Sequence, residues 1–186
     1  MKTYFRYAWV LMALLTFVGC SSNDPEEINE DTATRIYNEL KGTYEGSVRV
    51  GNEMRRVTVI VANDEFTVKQ LPLQPILERI FTNQGELEEA LKSGETSTFT
   101  APILNIGVTT NSSLLTMEPT DLVFTVTVGG VRKQVSALIS AYANWVKQWG
   151  EMSVQMNVVE LFCDGQNYQL NDNHIVYFID NAQKPE

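Results

Sequence analysis

His174 is the only histidine in the chain, and Asp172 and Asp180 stand near it in sequence. Serines and threonines are plentiful, so the residue types for hydrolysis by a nucleophile, a base and an orienting acid are present. Such a set is defined by geometry rather than by spacing. No Gly-x-Ser-x-Gly elbow occurs to hold a serine on a strand-to-helix turn. His174 falls where a turn becomes a strand, which suits an ordinary surface or edge residue. Glu86, Glu88 and Glu89 offer a second chemistry. Glycosidases hold paired carboxylates at a set separation across a cleft, whereas neighbours on one short helix form a solvated face. Asn171-Asp172-Asn173 and Asn63-Asp64-Glu65 are oxygen-rich enough to contribute calcium ligands. Each is more simply a turn, because Asn and Asp bond their own backbone. One histidine and Cys163 are too few for a zinc site, and no Gly-x-x-x-x-Gly-Lys loop is present to cradle phosphate. The expectation is a non-enzymatic protein with no catalytic residues, no metal and no cofactor.

Tyr142, Trp145 and Trp149 form the one group with binding character. Rings of this kind stack on a sugar, line an apolar pocket or anchor a protein interface. As structural residues they cover one end of a core. They are the candidate ligand-contact aromatics.

The N-terminus divides into three zones. Met1 to Arg6 carry Lys2 and Arg6 and no acid, Ala8 to Gly19 is uncharged and largely apolar, and a polar stretch follows Cys20. A charged start, a short apolar core and a small residue at the cut site make a secretory signal over residues 1–19. Spanning a bilayer takes about 20 apolar residues, more than this run supplies. Removing residues 1–19 takes away two positive charges and no acids, so the formal net charge moves from -9 to -11. That acidity argues against nucleic acid, whose phosphates require Lys and Arg. With Cys20 modified, Cys163 stands alone, so no intramolecular disulfide and no thiol cluster are expected. Beside Leu161 and Phe162 it reads as a small buried apolar side chain.

The remaining chain alternates between patterns. Residues 20–30 read as a flexible tether, and 31–186 as one β-rich domain. Ile36, Tyr37 and Leu40 share a helical face within Asp31 to Lys41. From Tyr44 the period becomes two, with Gly51-Asn52 turning one strand into the next. Pro72 and Pro75 interrupt the strands, and Pro75 can begin a helix. Two short helices are expected around residues 73–92. Ser97 to Thr110 reads as one or two strands broken by Pro102 and Gly107. Gly129-Gly130 is a two-residue hairpin signal. Ser140 to Trp149 fits a helix or a strand. Met152 to Val158 and Val159 to Cys163 alternate in opposite phases, which predicts a β-bulge. Many short antiparallel strands joined by tight turns point to a mainly β (α+β) fold, an antiparallel barrel or two packed sheets.

Phe17-Val18-Gly19-Cys20 resembles a bacterial lipobox, with Phe where Leu is usual. The resemblance implies acylation of Cys20 and anchoring of the mature chain to a membrane. Several acyl chains on one cysteine hold additively, at about 0.8 kcal/mol per buried methylene. The Ser21-Ser22 pair with Asp24, Glu26 and Glu27 is similar to the acidic surface-export signals of Bacteroidetes lipoproteins, or is a solvated linker. Asp31-Thr32-Ala33 resembles the O-glycosylation motif of that phylum, and Asp31 or Thr32 equally suits a helix N-cap.

This lipobox, the short helix, Gly42-Thr43-Tyr44-Glu45-Gly46, the valine-rich hairpin and the Leu71-Pro72-Leu73 segment together resemble the DUF4840-type lipoproteins of Bacteroidetes. Gly42-Thr43-Tyr44 is similar to the Gly-x-Trp start of lipocalins, with Tyr replacing Trp. The resemblance implies a lipocalin-like scaffold and brings no catalytic residues. The resulting expectation is an outer-membrane lipoprotein, facing the periplasm or the cell surface. Its β scaffold is expected to hold a small apolar ligand or a glycan in a barrel mouth or sheet cleft. The alternative is a structural or interaction subunit of an envelope complex, with an exposed apolar patch or an unpaired strand edge.

Overall fold

The structure, a computed structural model, describes residues 30–170 and 174–185. The expectations for the signal, for Cys20 and the tether to Asn29, and for calcium at Asn171 to Asn173 lie outside these residues.

Helix α1 (Glu30–Leu40) leads into strands β1 (Gly42–Val50), β2 (Glu53–Ala62) and β3 (Glu65–Pro72). Helices α2 (Gln74–Ile80) and α3 (Gln84–Ser93) follow. Then come β4 (Thr96–Val108), β5 (Ser112–Met117), β6 (Thr120–Val128) and β7 (Val131–Val146). The chain closes with β8 (Glu151–Cys163), β9 (Gln166–Asn167) and β10 (Val176–Gln183).

Between the barrel and the two-sheet alternatives, the molecule adopts the barrel. Strands β7, β5, β4, β3, β2, β1, β10 and β8 pair antiparallel in that order, and β8 returns to β7. The result is a closed, lipocalin-like barrel. β6 pairs with the first half of β7, beside the second half taken by β5.

Alternation sets the inside and the outside of the wall. Val57, Val59 and Val61 on β2 point inward and are fully buried. On β7 the inward phase runs from Val135 to Trp145 without a break. The phase slip in β8 is a bulge at Val159: Leu138 pairs with Glu160, but Ile139 pairs with Val158. Two-residue turns with positive φ join the strands at Asn63-Asp64, Gly129-Gly130 and Asp164-Gly165. This backbone matches the strand twist and suits Gly, Asn and Asp.

Residues 140–149 resolve as strand to Val146 followed by a turn. Of the one or two strands expected within Ser97 to Thr110, there is one, β4, which runs through Pro102 and Gly107 and ends at Val108. Pro102 is tolerated because β4 changes neighbour there. Its carbonyl accepts from Glu118 N at 2.9 Å, while Ile103 N donates to Asp64 O at 2.8 Å. Pro102 thus stands at the last pair of the β3 ladder and just before the β5 ladder begins, where a missing N–H is tolerated.

Helices stopper both ends. Ile36 and Leu40 of α1 enter the core at the end holding the β2–β3 and β7–β8 turns, with Lys147 paired to Glu39 at 3.1 Å. At the other end Ile76 and Leu77 of α2 and Ala90 of α3 are fully buried. Asn83 caps α3 by accepting from Gly85 N at 2.9 Å. Ser93 Oγ and Glu89 Oε2 accept from the backbone of β6 and its turn, at Thr127 N (2.8 Å) and Gly129 N (2.6 Å). Tyr44, Phe66, Phe99 and Tyr177 fill the space between, within one continuous apolar cluster. An eight-strand barrel is just wide enough for such filling.

Candidate functional site

β2 and β3 pair from Thr58–Lys69 to Ala62–Glu65. Beyond Thr58, β2 continues against β1 as far as Glu53. β3 instead stays with β4, Leu71 facing Ser97 and Pro72 facing Thr96. The two neighbours therefore part at one end of the barrel. The local cause is a bulge in β3 between Val68 and Leu71, where Gln70 takes a φ of 60°. A side chain pays a conformational penalty there, and bulges of this kind re-aim strands at barrel rims. A second bulge lies in β1, between Glu45 and Ser47.

The parting opens a groove of about 890 Å³ against α2 and α3. Pro72 and Leu91 give it apolar surface, while Gln70, Gln74 and Thr96 add hydrogen-bonding groups. Three cations, Arg55, Arg56 and Lys92, face two acids, Glu45 and Glu95. Arg55 is held by Glu53 at 2.8 Å and by Glu95 at 2.9 Å. Glu45 accepts from the Thr58 hydroxyl at 3.1 Å. Arg56 and Lys92 have no carboxylate within ion-pair distance among the described residues. The groove is thus locally cationic on a chain of net charge -9.

A smaller open cleft of about 410 Å³ lies where β8 meets β9, between Phe162 and Tyr168. Both clefts face outward from the barrel. The outer wall also carries a row in register: Phe178, Gln155, Tyr142, Thr116 and Asn105, on β10, β8, β7, β5 and β4. Tyr142 donates to Gln155 Oε1, and Gln155 Nε2 donates to Asn157 Oδ1 at 3.0 Å. The next row has Leu114, Asn144 and Ser153. These two rows bear no charge.

The aromatic trio is not brought together. Trp145 points into the barrel with 8% exposure, Tyr142 lies on the outer face, and Trp149, 63% exposed, sits in the β7–β8 turn. A spacing of three unites residues on a helix but puts them on opposite faces of a strand. His174 is exposed just before β10, and Asp180 is exposed on that strand. Asp172 and Cys20 lie outside the described residues. Glu86, Glu88 and Glu89 are exposed on α3. Among the described residues no three His, Cys, Asp or Glu side chains converge. Cys163 is buried, and burial raises its thiol pKa, with Asp164 adding to the rise and Lys133 opposing it.

The groove escaped the sequence because its members are scattered over six elements, β1, β2, β3, α2, α3 and β4, and each charged one reads as solvated. Arg55-Arg56 is the one trace, a basic pair in an acidic chain.

The model of the domain of unknown function DUF4840 matches residues 39–163. The chain belongs to the DUF4840 family. The match runs from the end of α1 to the end of β8, so it includes the whole groove and the α2–α3 stopper of this DUF4840 barrel. No curated protein and no solved structure matches the chain.

Proposed function

We propose that this DUF4840 protein is a membrane-anchored, non-enzymatic binding lipoprotein. Cys20 carries the lipid, in the outer membrane, and the domain faces the periplasm or the cell surface. Its ligand sits in the groove where β2 and β3 part. The observation that carries this reading is the groove itself, a concave site that combines apolar surface from Pro72 and Leu91 with charged and amide side chains. The close-packed interior favours a glycan over a small apolar molecule, since bulky side chains occupy the inward positions. The tether enters α1, which stoppers the end remote from the groove. An anchored molecule therefore presents the groove away from the α1 end.

The test has two arms. Cys20→Ala is expected to move the protein from the membrane fraction to the soluble one, and unchanged fractionation refutes the anchor. A glycan panel is expected to give a ligand whose binding is blocked by Thr96→Trp at the groove wall. Binding that survives this variant places the ligand elsewhere.

A second reading, an interaction subunit of an envelope complex, is favoured by the uncharged rows around Tyr142 and Phe178, which are 38% and 52% exposed. Uncharged aromatic surface is what interface centres are made of. Co-purification of a stable partner, lost in the Tyr142→Ala/Phe178→Ala double variant, supports it.

A further inference from the structure

Resting on the groove as the ligand site, we infer that the ligand is an acidic saccharide, its anion held between Arg56 and Lys92. The charges of the groove are not equivalent. Arg55 is committed to Glu53 and Glu95 and acts as a fixed part of the wall. Glu45 is turned to the Thr58 hydroxyl. Arg56 and Lys92 remain, one from β2 and one from the last turn of α3, neither within ion-pair distance of a carboxylate among the described residues.

An acidic protein repels anions over most of its surface. Two cations outside any ion pair, in a concave site where three cations meet two acids, reverse that locally. They favour an anion at one place and disfavour a cation there. The guanidinium of Arg56 presents a planar fork that matches a carboxylate or a sulfate through two parallel hydrogen bonds. Lys92 adds a point charge from a different element, the last turn of α3. Gln70 and Gln74 carry amides suited to sugar hydroxyls, and Leu91 offers an apolar surface for a ring face. The backbone is also shaped for the site: Gln70, a non-glycine residue at positive φ, stands on the groove wall. Strain of this kind gathers at ligand sites.

The test is isothermal titration of the protein, expressed from its full sequence, with three probes. These are trigalacturonate, its methyl ester and a sulfated heparin tetrasaccharide. The ester keeps the size and shape of the first probe and removes its charge. The expected result is binding of trigalacturonate and not of the ester, with affinity falling as salt is added. Arg56→Ala and Lys92→Ala are each expected to weaken it by about tenfold, the loss of one charge-assisted contact. Arg56→Lys, which keeps the charge and loses the fork, is expected to fall between. Binding of the sulfated probe alone, with the same dependence on Arg56 and Lys92, supports the acidic class and assigns the anion as sulfate. Equal binding of acid and ester, unaffected by the variants, overturns the inference. The groove reading survives that outcome if Thr96→Trp still blocks both probes, and falls with it if Thr96→Trp does not. Binding of none of the three probes overturns the acidic class, and the glycan panel then decides the groove independently.

Discussion

The Tyr177 hydroxyl donates to the Pro72 carbonyl at 3.0 Å, tying the start of β10 to the end of β3 across the stoppered end of the barrel. Tyr177 is almost fully buried, so no water stands in for the lost partner. Tyr177→Phe is expected to destabilise the protein by about 1–3 kcal/mol, the cost of leaving a buried acceptor unpaired. Urea denaturation of the variant measures it. An unchanged midpoint contradicts the role given to this bond. Pro72 also lines the groove, so the same variant is expected to weaken saccharide binding.

Alkaline pH should act on two buried phenols, Tyr44 and Tyr177. Burial raises Tyr44 to about 12 and raises Tyr177 as well, with Glu78 adding to the latter. In the unfolded chain a tyrosine ionises near pH 10. Between these values the unfolded state releases protons that the folded state keeps, so stability falls as pH rises. It is expected to be intact below about pH 10 and to be lost progressively through pH 12. Tyrosinate absorbance and circular dichroism, followed together, should show that these two phenols ionise only as the β signal is lost. Ionisation with the fold intact runs against this.

Trp145 and Trp149 separate by accessibility. Acrylamide is expected to quench Trp149 fluorescence strongly in the folded protein and to leave Trp145 nearly untouched. Trp145 buries its indole N–H with no acceptor among the described residues. Trp145→Phe removes that unpaired donor along with some volume, so the two effects oppose each other and the net change is expected to stay within about 1 kcal/mol. Trp145→Ala removes the same donor but far more packing volume, so the cavity dominates and the variant is expected to cost about 3–5 kcal/mol. Thermal melts of the two variants check the contrast.

Thiol counting tests the anchor and the core together. Cys163 is buried and its thiolate is disfavoured, so the native protein is expected to be inert to a thiol reagent. After denaturation, one thiol is expected if Cys20 is acylated and two if it is free. Rapid labelling before denaturation contradicts the buried placement of Cys163.

Most of the barrel was legible because the wall is half buried. Alternation at Val57, Val59 and Val61, the turn pair Gly129-Gly130 and the phase slip at Val158-Val159 each state a local rule that the fold obeys. The helix at Pro75 was legible because proline suits a first helical turn. Ser140 to Trp149 was not, because Tyr142, Trp145 and Trp149 satisfy a helical spacing while the strand is selected by its partners, β5 and β8. Propensity yields to tertiary pairing at such positions. Closure into a barrel and the parting of β2 from β3 were also beyond the sequence, since both depend on pairings between distant segments. The groove cations were invisible as a group for that reason.

The pairing of Val48 with Ile179 joins the first strand of the barrel to the last. No earlier strand can substitute for β10, because it alone bridges β1 and β8. The wall therefore stays open until nearly the entire chain is available, and the fold is dominated by contacts distant in sequence. Such topologies fold slowly. A chain of this design remains unfolded and threadable for longer than one built of local contacts, and its wall closes only after β10 has emerged.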